Sequence, residues 1–220
     1  MKSFGKIAHK TYEYFQQDCK IFNKELRVQK IYVVDAFITS KPFSGNPAGV
    51  CILEERQSDD WMQAIASEMN HSETAFVLKN DAGFSIRYFT PTMEIPLCGH
   101  ATLASARVLW EEGIVSRYNE ITFISNGGTL QIKHQNDQIV MSFPKLEPNI
   151  IEGSSKISLK ELQLNPVAIA QHKKDILFEL ETDKDVIHYT PNFEVLKKQP
   201  YRMIILTATH PTYDITPTSK

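Results

Sequence analysis

The segment from Gly99 to about Glu112 constrains this chain more than any other, because it sets a helix of small residues among strands. Ala101, Ala104 and Ala106 let such a helix approach a sheet closely, and Gly113 is a natural stop. The segments around it read as strands from their β-branched and aromatic content. IYVVDAF opens at Ile31, GVCIL covers 49–53, and TAFVLK (74–79) and FSIRYFT (84–90) form a hairpin around Asn80 to Gly83. ITFIS, GTLQIKH and QIVMSF follow as a meander, with turns at Asn126-Gly127 and Asn136-Asp137. A first helix runs from a cap at Ser58 and Asp59 to about Asn70, with Trp61, Ile65 and Met69 on its buried face. The sum is an α+β domain over residues 31–143.

The flanks read differently. Residues 1–30 form an N-terminal extension with seven Lys or Arg against three acids. Tyr12, Phe15, Cys19 and Phe22 recur at spacings of three and four, which predicts a helix. KPFSGNPAG (41–49) reads as a structured loop. Residues 144–220 read as a partial second domain. It holds a short helix near 158–163, a strand at DILFELE (175–181), a strand end and short helix in DVIHYTPNFEVLKK, and a strong strand at YRMIILTAT (201–209). No glycine follows Gly153, although a ligand-binding half ordinarily needs glycines for tight turns. Open sheet edges near 175–209 are therefore expected, with Met203, Ile204, Ile205 and Leu206 exposed.

Composition narrows the function classes. A net charge of −2 offers no support for nucleic acid or an anionic membrane as partner. No apolar run is long enough to span a bilayer, and no secretory h-region opens the chain. The three cysteines are widely spaced and form no zinc pattern, so a reducing, cytoplasmic setting is expected. GxGxxG, GKS/T, HExxH and GxSxG are all missing, which leaves no motif for a nucleotide, a metal or a serine nucleophile. No cofactor and no metal are expected.

Two polar constellations sit at joints between regular elements: Met69–Phe76 and Phe89–Thr102. Glu73 lies between the first helix and a strand, beside Ser72 and Thr74. Roofed by aromatics such as Phe76 and Phe89, it could hold a raised pKa and shuttle a proton. The pattern equally allows a surface carboxylate or one that caps a backbone amide. His100 opens the second helix, where unpaired amides favour an anion and Gly99 lets the backbone come close. A capping or half-buried histidine fits the same pattern. Cys98 reads as packing rather than as a nucleophile. Asn46, in SGNPAG between Gly45 and Gly49, offers an amide to a polar ligand or closes a turn.

These motifs resemble the phenazine biosynthesis PhzF-like family of the diaminopimelate epimerase-like superfamily. The resemblance runs through Asp35-Ala36-Phe37, Phe43 with Gly45-Asn46-Pro47-Ala48, Glu68 to Thr74, Phe89-Thr90-Pro91, Glu94, and Leu97-Cys98-Gly99-His100-Ala101-Thr102. It implies a sheet wrapped around a central helix in each of two similar halves, the first half complete here and the second partial. A weaker resemblance continues to about Thr209; where the family's acidic, glycine-rich second-half block is expected, the sequence has Tyr213-Asp214-Ile215 with no glycine-rich loop, as in a C-terminally truncated member.

The resemblance also implies a cofactor-independent isomerase that moves a proton on a small carboxylate-bearing metabolite. Its best-known member acts on a dihydro-hydroxyanthranilate-type acid. By resemblance Glu73 and His100 are catalytic, and Gly45, Asn46, Ser72 and Gly99 lie on the substrate side. A homodimer could complete the cleft. The alternative is a catalytically inactive module that binds a small acid or a protein.

Overall fold

The computed structural model describes residues 6–15, 28–38, 44–135, 138–145, 147–151 and 159–210. Two compact units divide the chain, Met1–Pro144 and Lys145–Lys220.

In the first unit, β1 (Lys6–Phe15), β2 (Val28–Ile38), β3 (Asn46–Leu53), β4 (Glu73–Asn80), β5 (Gly83–Phe89), β7 (Ile121–Ser125), β8 (Gly128–Gln135) and β9 (Gln138–Ser142) follow that order across one sheet. The two-residue β6 (Glu94–Ile95) pairs with β5. Neighbours are antiparallel except at two places, β3–β4 and β5–β7. Each parallel joint needs a crossover, and each has a helix: α1 (Asp59–Met69) and α2 (Gly99–Glu111).

Side-chain alternation gives the sheet two apolar faces. Val34, Ala36, Ala48, Val50, Ala75, Val77, Ile86 and Tyr88 face α2. Ile31, Cys51, Leu53, Phe76 and Phe89 join Met62 and Ala66 of α1 on the other face. Nine of the thirteen α2 residues are buried, so the helix is enclosed on nearly every side. The sheet curls around it, and α2 packs on β2, β3 and β4. Two of its buried residues are polar and bond back along the helix: Thr102 Oγ1 donates to the Cys98 carbonyl at 2.6 Å, and Ser105 Oγ to that of Ala101 at 2.7 Å.

The second unit holds a four-stranded sheet in the order β10 (Asn149–Ile150), β11 (Ala168–His172), β12 (Asp175–Glu179), β13 (Met203–Thr207). α3 (Leu159–Leu162) precedes β11, while α4 (Asp183–His188) and α5 (Phe193–Leu196) connect the parallel strands β12 and β13. Leu162, Leu164, Ile169, Ile176, Phe178, Val186 and Leu206 form its core. Among the described residues, no helix of either unit is long and apolar enough to cross a membrane.

Four expectations are corrected. Lys6–Phe15 is a strand paired antiparallel with β2, not a helix; Cys19 and Phe22 lie outside the described residues. Its aromatic and β-branched content suits an edge strand, and the β2 edge it meets is invisible to local spacing. The strand β3 begins at Asn46, inside the expected loop, because Asn46 and Pro47 already pair with Ala36 and Asp35. Pro47 is tolerated there because pairing with β4 starts only at Ala48, so its missing N–H faces no neighbour on that side. DVIH is helical in α4, not a strand end, because Thr182 and Asp185 form a reciprocal capping box. Finally, Leu206 is buried and Ile204 and Ile205 are half-buried, since α4 packs on β13; only Met203 is exposed. The expected Asn136-Asp137 turn lies outside the described residues.

Candidate active site

The joint between α1 and β4 sets the carboxylate in place. Asn70 takes a left-handed conformation at φ 50° and returns its amide to the Ala66 carbonyl, which stops α1 sharply. Two residues later Ser72 Oγ lies 3.3 Å from Asn46 Oδ1 and 3.4 Å from the Pro47 carbonyl, tying the joint to the start of β3. Glu73 is the first residue of β4, in parallel register with Ala48. By alternation it shares a face with Ala75 and Val77, the face toward α2.

The imidazole comes from α2. Cys98 is the N-cap residue but makes no side-chain cap bond, so the first-turn amides are not closed off by a capping oxygen. His100 Nε2 lies 3.2 Å from Glu73 Oε2 and 3.3 Å from Ser72 Oγ. On the ring's other edge, Nδ1 lies 3.3 Å from Cys98 Sγ. Glu73 Oε2 is fully buried and has no well-directed hydrogen bond; the imidazole faces it at 3.2 Å, and the Cys98 thiol also faces the carboxylate.

Burial pushes the His100 pKa below the usual imidazole value, against the opposing pull of the Glu73 charge. The Cys98 thiol is pushed up to about 12, chiefly by burial and then by the negative Glu73, although the amides of Ala101 and His100 pull the other way. The ring is therefore held neutral and the thiol protonated near neutral pH.

Of the residues singled out from sequence, Glu73, His100, Ser72 and Asn46 thus form one connected group. The two glycines serve tight packing. A Cβ on Gly45 would stand 2.7 Å from Ile38 Cγ2 and 2.8 Å from Asp35 Cβ, and one on Gly99 would stand 3.1 Å from Phe143 Cζ. The expected aromatic roof is a correction. Phe76 and Phe89 sit edge-to-face at 5.5 Å on the α1 side of the sheet, the face opposite Glu73, because residues 73 and 76 differ by an odd number along the strand. What sequence reasoning missed is Cys98 as a neighbour of the ring; the Cys-Gly-His spacing at a helix start was its only signal.

Donor atoms of Glu73, Cys98 and His100 lie within 4.8 Å of one another. Their closest approaches use opposite ring nitrogens, and a metal-bound cysteine must lose its proton. The group therefore suits proton handling better than metal ligation.

Residues 34–216 match the family model described as phenazine biosynthesis-like protein. The chain belongs to the PhzC/PhzF family. An uncharacterized isomerase of Halalkalibacterium halodurans is 41% identical over 178 residues, covering 81% of this chain and 67% of that one. The chain thus spans about two thirds of that relative's length. A PhzF-family phenazine biosynthesis protein from Enterococcus faecalis superposes with a TM-score of 0.72 at 34% identity, covering 86% of this chain and 72% of that one. A predicted epimerase from Pseudomonas aeruginosa, at 18% identity and a TM-score of 0.53 over 76% of this chain and 66% of that one, shares the fold alone. The architecture is the diaminopimelate epimerase-like fold of PhzF proteins, a sheet curled around a central helix.

Proposed function

We propose that this chain is an isomerase-type protein that moves a proton on a small carboxylate-bearing metabolite, with Glu73 as the proton carrier. The observation that carries the reading is the buried, poorly bonded Glu73 Oε2 against the neutral ring of His100. A carboxylate oxygen left without directed donors keeps lone pairs open to an incoming proton. The name isomerase on the Halalkalibacterium relative supports the same class.

The step balances within the substrate. Glu73 takes a proton from carbon, the electron pair moves into the adjoining conjugated system, and the resulting carboxylic acid returns the proton to a second carbon on the same face. Nothing is oxidised or reduced, so no redox cofactor is called for. His100 donates a hydrogen bond toward the charge that develops, and Asn46, with the Gly99 amide at the start of α2, orients the acid. Ser72 holds Asn46 and the ring in register.

The test is deuterium uptake at carbon. Small unsaturated carboxylic acids are incubated in D2O and followed by NMR, wild type against Glu73→Gln. The wild type should label at least one acid, and Glu73→Gln should lose that labelling while ligand affinity stays within roughly tenfold. Labelling that survives in Glu73→Gln would end the assignment.

A further inference from the structure

A neutral imidazole carries one proton, so one ring nitrogen donates and the other accepts. At His100 the two edges face different partners. Nε2 meets Glu73 Oε2 and Ser72 Oγ, whereas Nδ1 meets Cys98 Sγ. An ionised carboxylate can only accept, so a favourable contact with Glu73 requires the proton on Nε2. Nδ1 is then a bare lone pair in a buried setting, and such a group costs stability unless it finds a donor. Among the described residues, the hydrogen-bond neighbour at Nδ1 is Cys98.

We propose that Cys98 is a positioning residue whose S–H donates to His100 Nδ1, fixes the ring as the Nε2–H tautomer, and so turns its one proton to the side of the ring where Ser72, Glu73 and the bound acid lie. The catalytic consequence rests on the proton-transfer reading above; the tautomer itself does not. Two observations agree. Cys98 occupies an N-cap position without a well-formed side-chain cap bond, and the nearby amides of Ala101 and His100 can only donate to its sulfur, so its S–H is left for an acceptor. Burial also keeps the thiol protonated, so it is a donor across the neutral range and a poor nucleophile. The titratable groups facing the ring are Glu73 at Nε2 and Cys98 at Nδ1, and the Glu73 carboxylate also faces the Cys98 thiol as a competing acceptor for its S–H.

The proposal can be read without any substrate. In the full chain with 15N-labelled histidine, two-bond proton–nitrogen correlation spectra report which ring nitrogen is protonated, and His100→Gln assigns the signals. The wild type should show His100 as the Nε2–H tautomer alone. Cys98→Ala should convert it to a mixture of tautomers, and Cys98→Ser, which keeps a donor, should restore the single form. A wild-type ring protonated on Nδ1 would overturn the proposal, and so would a Cys98→Ala spectrum unchanged from wild type. The wild-type spectrum keeps the test open even if Cys98→Ala does not fold. Loss of the Glu73-dependent labelling result would sink the proton-transfer reading and leave the tautomer assignment standing.

Discussion

The two units use the same opening sequence of pairings and do different things with it. In the first, β2 and β3 are antiparallel, and α1 then carries the chain to β4, parallel to β3. In the second, β11 and β12 are antiparallel, and α4 and α5 carry the chain to β13, parallel to β12. The first crossover is one eleven-residue helix that buries Met62 and Ala66 against the sheet. The second is two helices of six and four residues, with Ile187 and Phe193 exposed. An apolar groove of about 330 Å³ lies beside them, lined by Val186, Tyr189, Phe193, Leu196, Tyr201 and Met203. Each parallel strand begins with a residue delivered by the crossover: Glu73 in β4 and Met203 in β13. Only Glu73 meets a helix start carrying an imidazole. The shared strand scaffold alone does not bring a carboxylate to an imidazole; the enclosed helix α2, whose first turn is brought to that strand end, does.

Stability measurements sharpen this contrast. Leu103→Ala, in the enclosed α2, should cost about 2–5 kcal/mol in denaturant unfolding, since the curled sheet leaves little room for the cavity to collapse. A cost near zero would mean α2 is not the centre of the first unit. Thr182→Ala removes the capping box of α4 and should cost about 1 kcal/mol. Amide exchange should locate that loss in β12 and β13, leaving α2 protected. Phe193→Ala, at an exposed position beside the groove, should stay within about 0.5 kcal/mol. A larger loss would show that the groove is covered in solution, as by a second copy of the chain.

The pH dependence carries the same contrast at the site. Because burial holds the folded-state pKa of His100 below the usual imidazole value of about 6.5, the unfolded chain binds its proton first. Stability should therefore fall as pH drops below about 6.5. The Cys98 thiol runs the other way: burial pushes its folded pKa up to about 12, above the ordinary thiol value of about 9, so stability should decline as pH rises from about 9 toward 12. Thermal melts of wild type and Cys98→Ser across both limbs would show the alkaline loss shrinking in the variant while the acid limb persists.

What could be read from sequence alone follows the range of the interaction. The ends of α1 were legible because Ser58 and Asn70 act on their own helix. The hairpin from β4 to β5 was legible because its turn residues are local. The strand at Lys6–Phe15 was not, because its partner is β2, across residues 16–27. The helix at Asp183–His188 was signalled by Thr182 and Asp185, but the β-branched Val186 and Ile187 outweighed that local cue. At the site, the carboxylate and the imidazole stood out as polar residues at element joints. The role of Cys98 did not, because it depends on which way a helix start turns a side chain.

If Glu73 and His100 handle the proton as one unit, a double-mutant cycle on the deuterium-uptake rate will show it. Glu73→Gln alone should slow uptake by about 10²–10⁴-fold. If the two residues act together, adding His100→Gln should change that residual rate by no more than about threefold, because the charge the ring stabilises develops only as Glu73 takes the proton. Losses that multiply across the two substitutions would overturn that coupling and assign His100 a role independent of Glu73.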